Sequence, residues 1–164
     1  MLLERGLLED VGQLRVDLFI DLVDTEFELR CTAAGYPAIA APGLRLEHSL
    51  GRRYERRIFG LRVRVPGIPP VVTLSTPFRY YYRVRNRRVI NRLHRRTSRG
   101  WIVRDSIFDA IQFVDALTLA RPRRSLWRLY RAGWRDAGRG RMGRMPDELL
   151  GLAHDIRWDA RDVE

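Results

Sequence analysis

Apolar residues recur at helical spacing over three stretches in the second half of the chain, and they alternate with polar ones over two short stretches in the first. The earliest organised segment is Leu18 to Arg30, where the apolar run Leu18-Phe19-Ile20 leads into a helix predicted over 22–34. On that helix Asp21, Asp24 and Glu28 share one face, and Val23 and Phe27 lie on a neighbouring one. Asp21 suits the N-cap, acids in the first turn suit the helix dipole, and Gly35 suits a left-handed stop. Glu26 and Arg30 stand at the spacing of an i,i+4 ion pair. Residues 1–17 are a lead-in broken by Gly6 and Gly12.

Beyond Tyr36-Pro37, residues 38–41 form an apolar strand candidate closed by Pro42-Gly43. Residues 44–48 alternate as a half-buried strand does and bring His48 to a strand end. A basic loop over 51–57 follows, and 61–65 is predicted to pair with 71–74 across the Pro66 to Pro70 turn. After Pro77 the period becomes helical. One helix is predicted over 78–93, a second over 101–120, and a third from Pro122 through Leu126, Trp127, Leu129, Tyr130 and Trp134. The second has the strongest apolar stripe, Ile107, Phe108, Ile111, Val114 and Leu117 to Leu119, which reads as a core face. Gly133, Gly138, Gly140 and Gly143 read as dissolving the third into an Arg-Gly loop, and 146–164 has room for one short helix. The class is therefore α/β: an acidic helix, short strands, then three helices, with no internal repeat.

Length changes little in this picture: 164 residues, 45% hydrophobic and 31% charged, make one globular domain. Charge changes more. A net charge of +11 invites a polyanion: nucleic acid, anionic lipid or a phosphate-bearing substrate. All the basic residues are Arg and none is Lys, a bias that points to genome composition as much as to binding. Cys31 is alone, which excludes a disulfide or a cysteine metal cluster within one chain; inside the first helix it reads as a small buried residue. The first residues carry acids where a signal peptide carries positive charge, and no apolar run approaches the length of a membrane span. The expectation is a cytoplasmic protein able to sit peripherally on the inner face of the plasma membrane.

Against this basic background, Asp21, Asp24, Glu26 and Glu28 are four carboxylates within eight residues. By themselves these residues read as a capped amphipathic helix with surplus acid, and a sharper reading needs the rest of the chain. His48 reads as an ordinary strand-end residue or as one ligand of a metal. The Tyr80-Tyr81-Tyr82 triplet reads as packing. The Arg comb from Arg79 to Arg99 reads as a solvated face or one that meets anionic lipid. Trp127, Tyr130 and Trp134, interleaved with Arg124, Arg128 and Arg131, have the pattern of an interfacial helix.

Three stretches in fixed order resemble the C-terminal half of family 2 glycosyltransferases, in particular the bacterial rhamnosyltransferase branch. The first is Leu18-Phe19-Ile20-Asp21-Leu22-Val23-Asp24-Thr25-Glu26-Phe27-Glu28-Leu29-Arg30 with its later Gly35-Tyr36. The second is Leu46-Glu47-His48-Ser49-Leu50-Gly51, similar to the family's strand-ending His followed by Gly. The third is Arg79-Tyr80-Tyr81-Tyr82-Arg83-Val84-Arg85-Asn86, and the stretch from Gly133 to Gly143 looks like the family's closing Gly-rich segment. The resemblance covers roughly residues 8–143.

The resemblance implies an inverting GT-A glycosyltransferase of cell-envelope polysaccharide biosynthesis, with 1–76 as the end of its catalytic domain and 77–164 as a C-terminal helical extension. It implies Asp24 as general base, Asp21 and Glu26 beside it as catalytic-site acids, and His48 as a ligand of a divalent magnesium or manganese ion. Arg79, Tyr81, Tyr82, Arg85 and Asn86 would contact acceptor or diphosphate. Partners would be a nucleotide-sugar donor and a glycan or lipid-linked acceptor, with no specific nucleic acid. The family's D-x-D metal motif is absent, because Asp24-Thr25-Glu26 corresponds to the later catalytic acid, and there is no βαβ run or Gly-rich nucleotide loop. The expectation is an acceptor-side half, inactive alone: a truncated product, a mis-started frame, or a piece completed by an N-terminal half or a dimer partner. The alternatives are a basic membrane- or nucleic-acid-binding module and a non-functional truncated remnant.

Overall fold

The computed structural model describes residues 5–39, 43, 51–58, 61–62, 69–160 and 163. Among them the fold is mixed α/β. Its helices are α1 (Arg5–Val11), α2 (Val23–Ala33), α3 (Arg79–His94), α4 (Arg99–Leu119), α5 (Arg123–Arg139) and α6 (Asp147–His154). Its strands are β1 (Arg52–Glu55), β2 (Arg57–Ile58), β3 (Leu61–Arg62), β4 (Val71–Leu74), β5 (Ala120–Arg121) and β6 (Arg157–Trp158). The strands form antiparallel pairs, β1 with β4, β2 with β3, and β5 with β6.

Helix α2 ends as predicted. Gly35, at φ +92°, carries the left-handed turn; its N–H bonds the Thr32 carbonyl (3.1 Å) and the Tyr36 N–H bonds that of Cys31 (2.9 Å). Cys31 is buried. Within the lead-in, where Gly6 and Gly12 were read as breakers, residues 5–11 form α1.

The strand expectations need correcting. Residues 51–57, read as a loop, contain β1, and β4 pairs with β1 in the register Arg52↔Leu74 to Glu55↔Val71; residues 63–65 of its predicted partner lie outside the described residues. Leu61–Arg62 instead closes back on Arg57–Ile58. The sequence Arg52-Arg53-Tyr54-Glu55 turns only Tyr54 inward, onto the core that holds Val72 and Leu74, so no alternation announces the strand. Ala38 and Ile39 carry no strand, and the remainder of the 38–41 and 44–48 candidates lies outside the described residues.

Helix α3 is central. Tyr80, Tyr81 and Tyr82 sweep about 200° of its circumference, yet each is buried, so α3 is covered on most sides. Tyr80 meets Phe113 of α4 and Trp158 of β6, Tyr81 reaches α5, and Tyr82 meets Phe19. Helix α5 crosses α3 at Gly133, where a Cβ would lie 2.4 Å from the Tyr81 carbonyl oxygen and 2.7 Å from Val84 Cγ1. Gly133 and Gly138 thus lie inside α5, a correction to the expected Arg-Gly loop; the helix stops at Gly140, at φ +69°. Gly133 serves close helix contact instead of breaking the helix.

Helix α4 also departs from its pattern. Ile107, Phe108, Ile111 and Val114 are exposed, while Asp109, Phe113, Asp115, Ala116 and Leu119 are buried. The reason is electrostatic. Arg83 and Arg87 of α3 face α4 and take Asp109 (2.9 Å from Arg83) and Asp105 (2.6 Å from Arg87), and Arg56 takes Asp115 (2.7 Å). Helix α4 must therefore turn its acids inward, and the aliphatic line turns out. A smaller cluster, Leu18, Leu29 and Ile90 with Trp101 and Met142, fixes α2 and the preceding turn against α3.

Candidate functional site

The segment Val16 to Leu22 has the most unusual backbone among the described residues. A 3-10 turn over Val16–Leu18 runs into Phe19 at φ 65° and ψ −64°, and the Ile20 N–H closes on the Leu18 carbonyl at 2.8 Å. That is a γ-turn of the rare positive-φ kind. Asp21 (φ 65°) and Leu22 (φ 61°) follow, also left-handed. None of the three is Gly or Asn. Such conformations cost of order 1–3 kcal/mol each and persist only where the surroundings impose them.

Here α3 imposes them. Asn86 Nδ2 donates toward the carbonyls of Leu18 (3.0 Å), Ile20 (2.8 Å) and Asp21 (2.8 Å). Arg85 Nη2 donates to Leu18 O (2.9 Å), its Nη1 to Gly143 O (2.6 Å), and its Nε to Asn86 Oδ1 (3.0 Å). Its guanidinium also faces the Tyr81 and Tyr82 rings, 5.4 and 5.0 Å from their centroids. The Gly143 N–H returns to the Asp17 carbonyl at 2.7 Å. Arg79 grips the Asp21 carboxylate with both ends of its fork, Nη2 at 2.7 Å and Nε at 3.1 Å. That bond raises the pKa of the Arg79 guanidinium.

The candidate acids accordingly part company. Asp21 is not the N-cap: Leu22 occupies that position with no side-chain cap bond, and the Asp21 carboxylate is held by Arg79. Glu26 is buried, accepts from Arg30 Nη2 at 3.0 Å, and lies 3.6 Å from His94 Nε2. Arg30 carries that tie on to the carbonyls of Val11 (2.7 Å) and Gln13 (2.9 Å), so Glu26 joins α2 to the segment after α1. Asp24 is exposed at the start of α2, its Oδ1 accepting the Thr25 N–H at 2.9 Å. Glu28 is exposed as well.

Tyr81, Tyr82, Arg85 and Asn86 reach this turn from its protein side. All four are buried. The Tyr81 hydroxyl donates to Asp136 Oδ2 at 2.8 Å, and burial together with that carboxylate pushes the phenol up to about 12. The Tyr82 hydroxyl accepts the Met145 N–H at 2.7 Å. The polar atoms of Arg85 and Asn86 shape the turn, and the Tyr81 and Tyr82 hydroxyls are engaged with Asp136 and Met145; Asp24 and Glu28 are the exposed acids and Arg79 is partly exposed. One contributor was missed from sequence, Asp136, and Gly143 was read there only as the end of the Gly-rich segment. Asp136 had a signal: it is the sole acid between Arg123 and Arg139.

Three of the four stretches singled out in the sequence thus converge in space: the acidic one, the Tyr-Arg-Asn helix start and the Gly-rich segment ending at Gly143. The fourth, Leu46 to Gly51, lies outside the described residues apart from Gly51, and His48 is among those outside. Among the described residues no three His, Cys, Asp or Glu side chains gather as a metal would require.

A stretch of 85 residues, 52% of the chain, is 34% identical to the dTDP-rhamnosyl transferase RfbF of Shigella flexneri and covers 25% of that protein. The chain therefore spans about a quarter of the length of the curated relative it matches. No protein-family profile matches the chain, and no solved structure does. Among the described residues no helix is long and apolar enough to cross a membrane.

Proposed function

We propose that this chain is the acceptor-side portion of a family 2, GT-A type glycosyltransferase. It acts in moving a sugar, rhamnose in the first instance, from a nucleotide-sugar donor to a cell-surface glycan or lipid-linked acceptor. The observation that carries the reading is the strained turn at 18–22, held by Arg85 and Asn86 from more than sixty residues away. Strain of this kind is retained where a side chain must be aimed, and the side chain delivered just after the turn, exposed, is Asp24. The partial likeness to a dTDP-rhamnosyl transferase supports the same class.

In this reading the Asp24 carboxylate takes the proton from the acceptor hydroxyl as its oxygen attacks the anomeric carbon. The nucleoside diphosphate departs from the opposite face, which inverts the centre. Asp21 and Glu26 act at a distance from the reacting atoms: Asp21 anchors the turn through Arg79, and Glu26 anchors α2 through Arg30. In this reading the nucleotide half and the ligands of any magnesium or manganese ion, His48 among the candidates, come from outside the described residues.

The test is transfer of labelled rhamnose from dTDP-rhamnose by the complete enzyme, with Asp24→Asn beside the parent. A fall in kcat of about 10²–10⁴ with unchanged circular dichroism and melting is expected; retained turnover removes Asp24 from the role. The 164-residue chain alone is expected to bind neither dTDP-rhamnose nor UDP-sugars. Metal-dependent micromolar binding in isothermal titration would overturn that.

A further inference from the structure

Helix α4 carries apolar side chains with more than half of their surface in solvent: Val103 (59%), Ile107 (55%), Phe108 (60%), Ile111 (52%) and Val114 (57%). Val103, Ile107, Ile111 and Val114 follow one another at steps of four, four and three, which draws one line along the helix. Beside that line, Ala110 and Phe113 of α4 adjoin the aromatic side of α5. Ala110 shares a groove with Tyr130 and Trp134, and the Phe113 ring lies 6.0 Å from that of Trp127. Trp127 and Trp134 are themselves about half exposed.

Positive charge frames this apolar strip. The exposed side of α5 presents Arg124, Arg128, Arg131 and Arg135, and its sole acid, Asp136, is buried against Tyr81. Helix α3 contains no acid, and its Arg88 lies over the Trp134 ring at 4.2 Å. The nearby acids of α4, Asp105 and Asp109, are taken by Arg87 and Arg83.

Charge and apolarity together select the occupant. A second copy would set one Arg-rich face against another. A nucleic acid would match the arginines but leave the aliphatic line against phosphate and water, in an interface type that is predominantly polar. A bilayer rich in anionic lipid satisfies both parts: phosphates for the arginines, and an acyl boundary for aliphatic and indole groups. We infer that the α4–α5 face docks on an anionic lipid surface. Ile107, Ile111, Val114 and the two tryptophans enter the headgroup boundary, with Arg131 and Arg135 at phosphate level. This docking does not rest on the transferase reading.

The full chain is mixed with vesicles of phosphatidylcholine, alone or with phosphatidylglycerol. Binding is read by sedimentation and by quenching of tryptophan fluorescence with brominated acyl chains. Uptake and quenching are expected on the phosphatidylglycerol vesicles and little of either on phosphatidylcholine alone. Arg131→Gln and Arg135→Gln should each weaken partitioning about fivefold. The double variant Ile107→Asn/Ile111→Asn, at exposed positions, should weaken it about tenfold or more and abolish quenching with an unchanged melt. Four results would each overturn the inference: no quenching on anionic vesicles, arginine variants or a double isoleucine variant that partition like the parent, a dimer in sedimentation velocity that only the isoleucine variants dissolve, or tighter binding to duplex DNA than to the vesicles.

Discussion

Asn86 holds the backbone of Asp21: its Nδ2 lies 2.8 Å from the Asp21 carbonyl oxygen while the same nitrogen reaches the carbonyls of Ile20 and Leu18. An amide has two protons, so three carbonyls share them and the turn converges on one side chain. Asn86 itself is held by Arg85 Nε at 3.0 Å. Local preference opposes the turn, since Phe19, Asp21 and Leu22 all take positive φ. It is the tertiary contact that selects it.

Asn86→Ala should therefore cost more than a surface change. The Ile20 and Asp21 carbonyls lose their side-chain donor while that of Leu18 keeps Arg85 Nη2, and unsatisfied groups of that kind cost about 1–3 kcal/mol. The urea midpoint is expected to fall with an unchanged m-value. A midpoint equal to the parent's would mean that the turn holds its shape without α3.

Asp21 and Asp24 should separate by assay. Asp21→Asn removes the charge from a bidentate bond to an arginine whose side chain is 38% exposed. Solvent screening reduces its worth to about 0.5–1 kcal/mol. Asp24→Asn, at an exposed site, should leave stability within about 0.5 kcal/mol of the parent. Thermal melts of the two variants check this, and a larger loss from Asp24→Asn would make that residue structural.

Much of this arrangement was legible in the chain. The spacing of Val23, Phe27 and Gly35 gave α2 its span, and Glu26 with Arg30 gave the ion pair, because both depend on neighbours one helical turn away. The same reading misplaced the α4 stripe and Gly133. Local periodicity says that a helix has an apolar face; it does not say which face meets a neighbour carrying Arg83 and Arg87. Gly133, followed by Gly138, Gly140 and Gly143, looks like a breaker until the helix crossing it is known. The burial of Tyr81, Arg85 and Asn86 depends on pairings with Asp136, Gly143 and Leu18, all more than fifty residues distant, which no local pattern carries.

Alkaline pH should unfold the protein through Tyr80 and Tyr81. In the unfolded chain their phenols ionise near pH 10; in the folded protein burial, joined at Tyr81 by Asp136, pushes each up to about 12. Between those values the unfolded state binds fewer protons than the folded one, so stability falls as pH rises. The contribution is whole below about pH 10 and lost on the way to about 12. Phenolate absorbance followed beside circular dichroism tests this. Ionisation of all six tyrosines near pH 10 with the helices intact would contradict it.

The crossing of α3 and α5 predicts opposite outcomes for two formally identical changes. In Gly151→Ala the new Cβ, within α6, meets nothing within 4 Å. Relief of glycine's helix penalty should then stabilise by about 0.5–1 kcal/mol. In Gly133→Ala the Cβ would sit 2.4 Å from the Tyr81 carbonyl oxygen, a backbone atom that moves only if the helices part. Overpacking of this sort costs about 1–3 kcal/mol, which offsets or exceeds the same propensity gain. Parting the helices also lengthens the Tyr81–Asp136 bond, so the Gly133→Ala phenol should ionise at lower pH than the parent's. Denaturant midpoints for the two variants, with a phenolate titration of Gly133→Ala, decide the matter. If Gly133→Ala stabilises as Gly151→Ala does, α3 and α5 are not in the close contact described.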